Sequence, residues 1–441
     1  MIQPAGGLPL TDSTLQPMTG VQMKSLQKTA GLALCGLLLL LLMVNSSAAQ
    51  QWTRFRGPNG TGVSPARGIP SGFSISDANW RVTLRGEGHS SPVLWAGRVF
   101  VTGYDAENEL FVIQCLQADD GSELWFHALP QKPYHTHNFN HVASSTPVTD
   151  GQRLLVISSQ PGSHTMLAFD LDGNELWSRR FETAISNHGG GVSPIIDDGR
   201  VILPADEDGE SFLAALDPAS GEVLWRSERA DARAAFSTPC QFVDPSGTRG
   251  LLFNSMSHGI SFVDPATGKT LWEQGELFEM RTISSSLVAD GLVIGTCGSG
   301  RGGNYLVAVN PGSAGEGLSP SLAYKLERSA PYVPTCVAKG KLLFLWGDAG
   351  IVTCVEAGSG ETVWRERVGG RFFGSPVWIE GRLFCISTEG RVVVLAASGT
   401  FQQLAVNDLE EPTHSTPAVA DNRLYLRTLG HLTSVGPGGS R

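Results

Sequence analysis

The chain is 441 residues long, 41% hydrophobic and 17% charged, with 53 glycines and a formal net charge of −10. That composition excludes an intrinsically disordered chain and suits an ordered β protein with many tight turns. The acidic balance, with no Lys/Arg-rich tract, argues against nucleic acid as the main partner.

Residues 1–49 read as a secretory signal peptide, expected to be cut between Ala49 and Gln50. Lys24 and Lys28 form its basic start, residues 30–44 are apolar, and Ser47-Ala48-Ala49 places small residues before the cut. The apolar run is short for a membrane span, so no span is expected after cleavage. Met23 begins a complete signal by itself, which makes it the expected true start. Cys35 follows Leu34 inside the apolar run, which does not suit lipidation. The mature protein is expected to be exported, to the periplasm or beyond. Residues 50–78 form an arm containing WTRFRGPNGTG, expected to be irregular and packed by its aromatics.

From residue 79 to 441 one unit repeats. Its openings are Ser91-Pro92, Thr146-Pro147, Ser193-Pro194, Thr238-Pro239, Ser285-Ser286, Pro334-Thr335, Ser375-Pro376 and Thr416-Pro417. Unit seven is cleanest: a β-branched strand from Ser375, a turn at Glu380-Gly381, a strand from Leu383, a turn at Glu389-Gly390, and a strand from Arg391. Proline falls at strand starts, where no ladder donor is lost. Later in the unit comes a hairpin phrase. It is DPASGEVLW at residues 217–225, DPATGKTLW at 264–272, EAGSGETVW at 356–364, QADDGSELW at 117–125, and the shorter DLDGNELW at 170–177. Gly121, Gly173, Gly221, Gly268 and Gly360 supply the turn. Trp125, Trp177, Trp225, Trp272 and Trp364 end the following strand and are expected to pack between neighbouring units.

Four strands per unit, repeated eight times without helices, predict an all-β, eight-bladed β-propeller of four-stranded antiparallel blades. The last unit is one strand short. Residues 79–84, which carry Trp80, are expected to supply that strand and close the ring. Unit five departs most, with an insertion at residues 311–320 and Tyr324 in place of the tryptophan.

In such a topology, the loops leading into each first strand share a face with the loops joining strands two and three. The first set holds His89, His135, His137, His141, His188, Arg281, Arg371 and His414; the second holds residues 104–109, His164, residues 206–210, His258 and Arg301. Histidines with carboxylates bind transition metals where three or more converge, so His135, His137, His141, His188, Asp206 and Asp208 are candidate metal ligands. The alternative is a solvated polar loop face, and a small-ligand pocket at the mouth of the central channel also stays open. Cys115, Cys240, Cys297, Cys336, Cys354 and Cys385 form no CxxC or adjacent pair and are expected as small buried side chains. There is no nucleophile elbow, phosphate loop or HExxH, and the glycine-rich residues 298–304 open no helix.

The phrase DPASGEVLW, together with SSPVLWAGRVFVTG at residues 90–103, resembles the PQQ-like repeat of quinoprotein alcohol dehydrogenases and of BamB. The resemblance covers roughly residues 79–441, and the arm's RFRGPNG is similar to that of secreted bacterial PQQ-like repeat proteins. The quinoprotein branch would imply PQQ, calcium and an adjacent Cys-Cys pair over the quinone, and this chain has no such pair. The BamB branch implies a non-catalytic scaffold or binding protein of the cell envelope, with envelope or extracellular proteins as partners and no cofactor. A PQQ-using oxidoreductase, or a propeller binding a divalent metal or small ligand on the histidine-rich face, is the alternative expectation.

Overall fold

A computed structural model describes Met1 and residues 51–183, 186, 188–230 and 233–437; the proposed signal peptide lies outside the described residues. Eight sheets follow one another around a central axis. Blade 7 shows the pattern, with antiparallel strands Val377–Ile379, Arg382–Ile386, Arg391–Ala396 and Gln403–Asp408 from the channel outward. Blades 1 to 6 span residues 93–130, 148–182, 195–229, 240–274, 287–326 and 337–367. Middle strands are covered on both faces and read as near-continuous apolar runs: every residue of Ser211–Leu216 is buried. The outermost strand alternates, as in Val223–Arg229, where successive residues are half-buried and exposed. Among the described residues no helix is long and apolar enough to cross a membrane.

Ring closure is as the sequence implies. Blade 8 contains Ala418–Ala420, Arg423–Arg427 and His431–Val435, and Trp80–Thr83 adds its fourth strand, with Trp80 opposite Ser434 and Thr83 opposite His431. The first and last strands of the repeat region therefore meet in one sheet, and that blade's outer edge is not left short.

The hairpin phrase is a receptor for the preceding blade's tryptophan. The indole N–H of Trp80 donates to Ala118 O, Trp125 to Leu171 O, Trp177 to Pro218 O, Trp225 to Pro265 O and Trp364 to Ser398 O, at 2.9–3.0 Å. Tyr324 substitutes as expected, its hydroxyl donating to Ala357 O at 2.6 Å. The ring lies flat over the phrase glycine: a Cβ at Gly173 or Gly221 would stand 2.8 or 2.5 Å from the indole of Trp125 or Trp177. Trp272, which faces the blade-5 insertion, is the exception; its indole nitrogen is buried without a partner. A register shift in the phrase sets these tryptophans opposite a small residue: Trp125 faces Cys115, Trp225 faces Ala215, and Trp364 faces Cys354, whereas Trp272 stacks on Phe262. All six cysteines among the described residues are buried and unbridged. Burial pushes the Cys115, Cys240, Cys336 and Cys354 thiols up to about 12.

The arm departs from the sequence expectation, because arginines as well as aromatics hold it. It runs across the channel. Trp52 exchanges backbone hydrogen bonds with Leu94 of blade 1, and Thr53 O accepts from Thr149 N of blade 2. Arg54 Nη2 donates to Pro239 O of blade 4 at 2.6 Å. Arg56 is fully buried and donates to Thr335 O and Cys336 O of blade 6 and Pro376 O of blade 7, at 2.8–3.2 Å, and to Gly60 O and Thr61 O of its own turn. Val63–Ser64 then adds a fifth, parallel strand to the inner edge of blade 7. One short segment thus ties five blades together across the axis.

Candidate functional site

The Ser/Thr-Pro openings form a belt around the channel. In seven of the eight openings the backbone N–H donates to the hydroxyl of the next: Ser91 to Thr146, Thr146 to Ser193, Thr238 to Ser285, Ser285 to Thr335, Thr335 to Ser375, Ser375 to Thr416, and Thr416 back to Ser91, at 2.9–3.2 Å. Here lies the physical reason for a hydroxyl at seven of these openings. Each one stitches two blades at the narrowest radius, where a backbone donor would otherwise be orphaned.

Above the belt the channel widens into a cup of about 550 Å³. Phe55, held between the two buried arginines of the arm, contributes to its lining from the channel side. His89, His137, His188, His414, Arg281 and Arg301 all line the cup, so the strand-order reasoning brings these residues together correctly. The aromatic wall runs from His137 to Phe139 (ring centroids 4.9 Å apart), Phe139 to Phe373 (4.7 Å), Phe373 to His414 (4.8 Å) and His414 to His89 (4.2 Å). Phe55, Arg233, Phe139, Phe236, Tyr332 and Phe373 also line the cup and were not singled out from sequence. The HTHNFNH run was a signal for Phe139, and the WTRFRGPNG arm was one for Phe55.

The wall is electrically unusual. Burial lowers His89 well below the ordinary histidine range, with His414, His141 and Arg427 adding to the effect. Burial likewise takes His141 down to about 4, helped by Arg427 and His414, and His414 is lowered by burial. Arg427 stands behind them, fully buried, donating to Ser90 O at 3.0 Å and to the Ser90 hydroxyl, with Nε and Nη2 unpaired. Burial drops its guanidinium to about 9.

The six proposed metal ligands do not converge. His137 and His188 stack with centroids 5.2 Å apart, and His141 packs on His89 at 5.3 Å. His135 is exposed. Asp206 is held by Arg229 through its Nε at 2.6 Å, and Asp208 accepts from Ser186 Oγ and Ala234 N at 2.7 and 2.8 Å. Among the described residues no three His, Cys, Asp or Glu side chains gather as a metal site. Other predicted face residues serve the fold. His164 is fully buried between Ser159 Oγ (2.8 Å) and Glu207 Oε1 (3.0 Å), and His258 pairs with Glu273. The buried Ser159–His164–Glu207 chain resembles a hydrolytic triad only in composition, since neither Ser159 nor His164 lines the cup.

Fold and cup define an eight-bladed propeller plugged on one side by its own N-terminal arm and open on the other. The sequence-family profile described as "Outer membrane protein assembly factor BamB" matches residues 109–316 and 348–436, and the chain belongs to that PQQ-like repeat family. No curated protein sequence shows a significant match. Among solved structures, BamB from Moraxella catarrhalis is similar at 16% identity and a TM-score of 0.59, covering 82% of this chain and 97% of its own. The quinohemoprotein alcohol dehydrogenase from Comamonas testosteroni is similar at 12% identity and a TM-score of 0.62, covering 91% of this chain and 82% of its own. Sqt1 from Saccharomyces cerevisiae gives 13% identity and a TM-score of 0.60, over 82% of this chain and 98% of its own. At these identities the likeness establishes the fold, and proteins as differently named as BamB, an alcohol dehydrogenase and Sqt1 share it.

The residues do not fit a PQQ–calcium site of the quinoprotein kind. Among the described residues no cysteine pair lies over the cup and no carboxylate lines it.

Proposed function

We propose that the protein is an exported, non-catalytic binding propeller of the cell envelope, a rigid disc that uses its cup face to hold a ligand or partner. The observation that carries this reading is the make-up of the cup. Its lining offers guanidinium, imidazole, hydroxyl and aromatic groups, and no carboxylate among the described residues to act as general base or to hold a hard cation. The imidazoles that most resemble bases, His89 and His414, are held neutral by burial and pack on one another rather than on a hydroxyl or thiol nucleophile. Membership of the BamB family and the signal-like residues 1–49 support export and an envelope role.

The test is purification of the mature protein from its native envelope, followed by analysis of co-purifying proteins, quinone and metal. A stable partner without quinone or stoichiometric metal agrees with the proposal. Tightly bound quinone or one metal ion per chain would sink it.

A further inference from the structure

We propose that the cup is an anion site, built for a small organic acid with an apolar face, its carboxylate, phosphate or sulfate groups turned toward the channel axis. This deepens the binding reading above and rests on it.

Three independent features of the cup point the same way. The first is charge. The chain carries a net −10, yet Arg233, Arg281 and Arg301 line the cup, and no Asp, Glu or Lys does among the described residues. The one carboxylate paired with these arginines among the described residues is Asp208, 3.7 Å from Arg281 and already engaged by Ser186 and Ala234. A cleft of one sign with low-dielectric walls concentrates its field on the ligand.

The second is hydrogen-bond polarity. Seven belt hydroxyls each accept a backbone N–H, so one lone pair of each is engaged while their protons have no protein acceptor among the described hydrogen bonds. Six of the seven, all but Ser285, line the cup. A hydroxyl that already accepts one bond and has no acceptor for its proton offers that O–H as a donor. The belt is therefore a ring of donors around the axis, matched by a ligand rich in acceptor oxygens.

The third lies beneath and behind the surface. Arg427 is buried with two nitrogens unpaired, beside the His89 and His141 wall. Arg54 and Arg56 bind carbonyls on either side of Phe55; no carboxylate is hydrogen-bonded to either, and Asp197 acts on Arg54 only through space. Buried guanidiniums without a hydrogen-bonded counter-ion are costly, and an acid in the cup offsets part of that cost. The Phe139–Phe373 wall supplies the apolar surface against which the ligand's skeleton packs.

The experiment is isothermal titration calorimetry of the mature chain with citrate, with digalacturonate and with its neutral counterpart digalactose, at low and high salt. These probes are redox-inert, so a failure to bind here and a finding of catalysis are separate results. At least one acid should bind, weaken as salt rises, and exceed digalactose in affinity by on the order of tenfold or more. Arg233→Gln combined with Arg301→Gln, both exposed positions, should weaken it by a similar factor. Arg365→Gln, on an outer strand, should leave it unchanged. Binding by citrate alone assigns the site to compact polyacids, and binding by digalacturonate assigns it to acidic sugars; both agree with the proposal. Silence from both acids, equal affinity for the neutral sugar, or indifference to the double variant would overturn it.

Discussion

Gly268 and Gly291 make a matched pair. Both have left-handed backbone, with φ of +73° and +80°. An added Cβ meets nothing within 4 Å at Gly291 but overlaps the Trp225 indole at Gly268. Alanine in that backbone region costs about 1–2 kcal/mol from strain alone, and Gly291→Ala should lose that and no more. Trp225 is half-buried; its ring removes roughly 100–150 Å² from water, or about 2.5–4 kcal/mol at 25 cal/mol/Å². Its hydrogen bond to Pro265 O adds about 1 kcal/mol. If the new methyl displaces the ring by half, Gly268→Ala should cost about 3–4 kcal/mol in total. In a Trp225→Ala background the same change should fall back to the strain of about 1–2 kcal/mol, a coupling of about 2 kcal/mol. Equilibrium denaturation of the four chains of the cycle, with Gly291→Ala as control, reads this directly. Equal losses at the two glycines, or an additive cycle, would refute the idea that the phrase is a tryptophan receptor.

Other consequences are equally open to measurement. Arg56→Lys should destabilise by roughly 2–4 kcal/mol, because an ammonium cannot serve the five carbonyls that the guanidinium fork reaches; an unchanged denaturation midpoint would contradict the arm's role. In the mature native protein the six buried thiols should resist a thiol-reactive dye, and all six should titrate once the chain is denatured. Fewer than six would reveal a disulfide. His141 stays neutral in the folded state down to about pH 4, whereas the unfolded chain protonates it near its ordinary 6.5. The unfolded state therefore binds more protons between those values, so stability should fall as pH drops from about 6.5 toward 4, with His89 and His414 acting in the same sense. His141→Gln should make that slope shallower in denaturation midpoints measured from pH 7 to 5.

The propeller was legible because its signals are local and repeated. The phrase glycine needs a positive φ and clearance for an indole, the opening hydroxyl needs a neighbour's amide, and both needs recur blade after blade. Even the strand supplied by Trp80–Thr83 could be inferred, since the eighth unit lacked one and residues 79–84 carried the right tryptophan. The cup was half legible. Strand order alone gathered His89, His137, His188, His414, Arg281 and Arg301. It did not separate His135, which is exposed, or Asp206, which Arg229 holds, because partners in a propeller come from residues far apart in sequence. The arm was least legible. Arg54 and Arg56 bind backbone carbonyls at separations of 185 to 320 residues, and a carbonyl leaves no mark in a side-chain pattern.

The central claim, binding without redox chemistry, meets its most direct test in a dye-linked dehydrogenase assay of the mature protein supplied with PQQ and calcium across a panel of primary alcohols. The expected result is no dye reduction above the protein-free blank, from a preparation that still binds an acidic probe by calorimetry. Reduction that saturates with alcohol and depends on added PQQ would contradict the account.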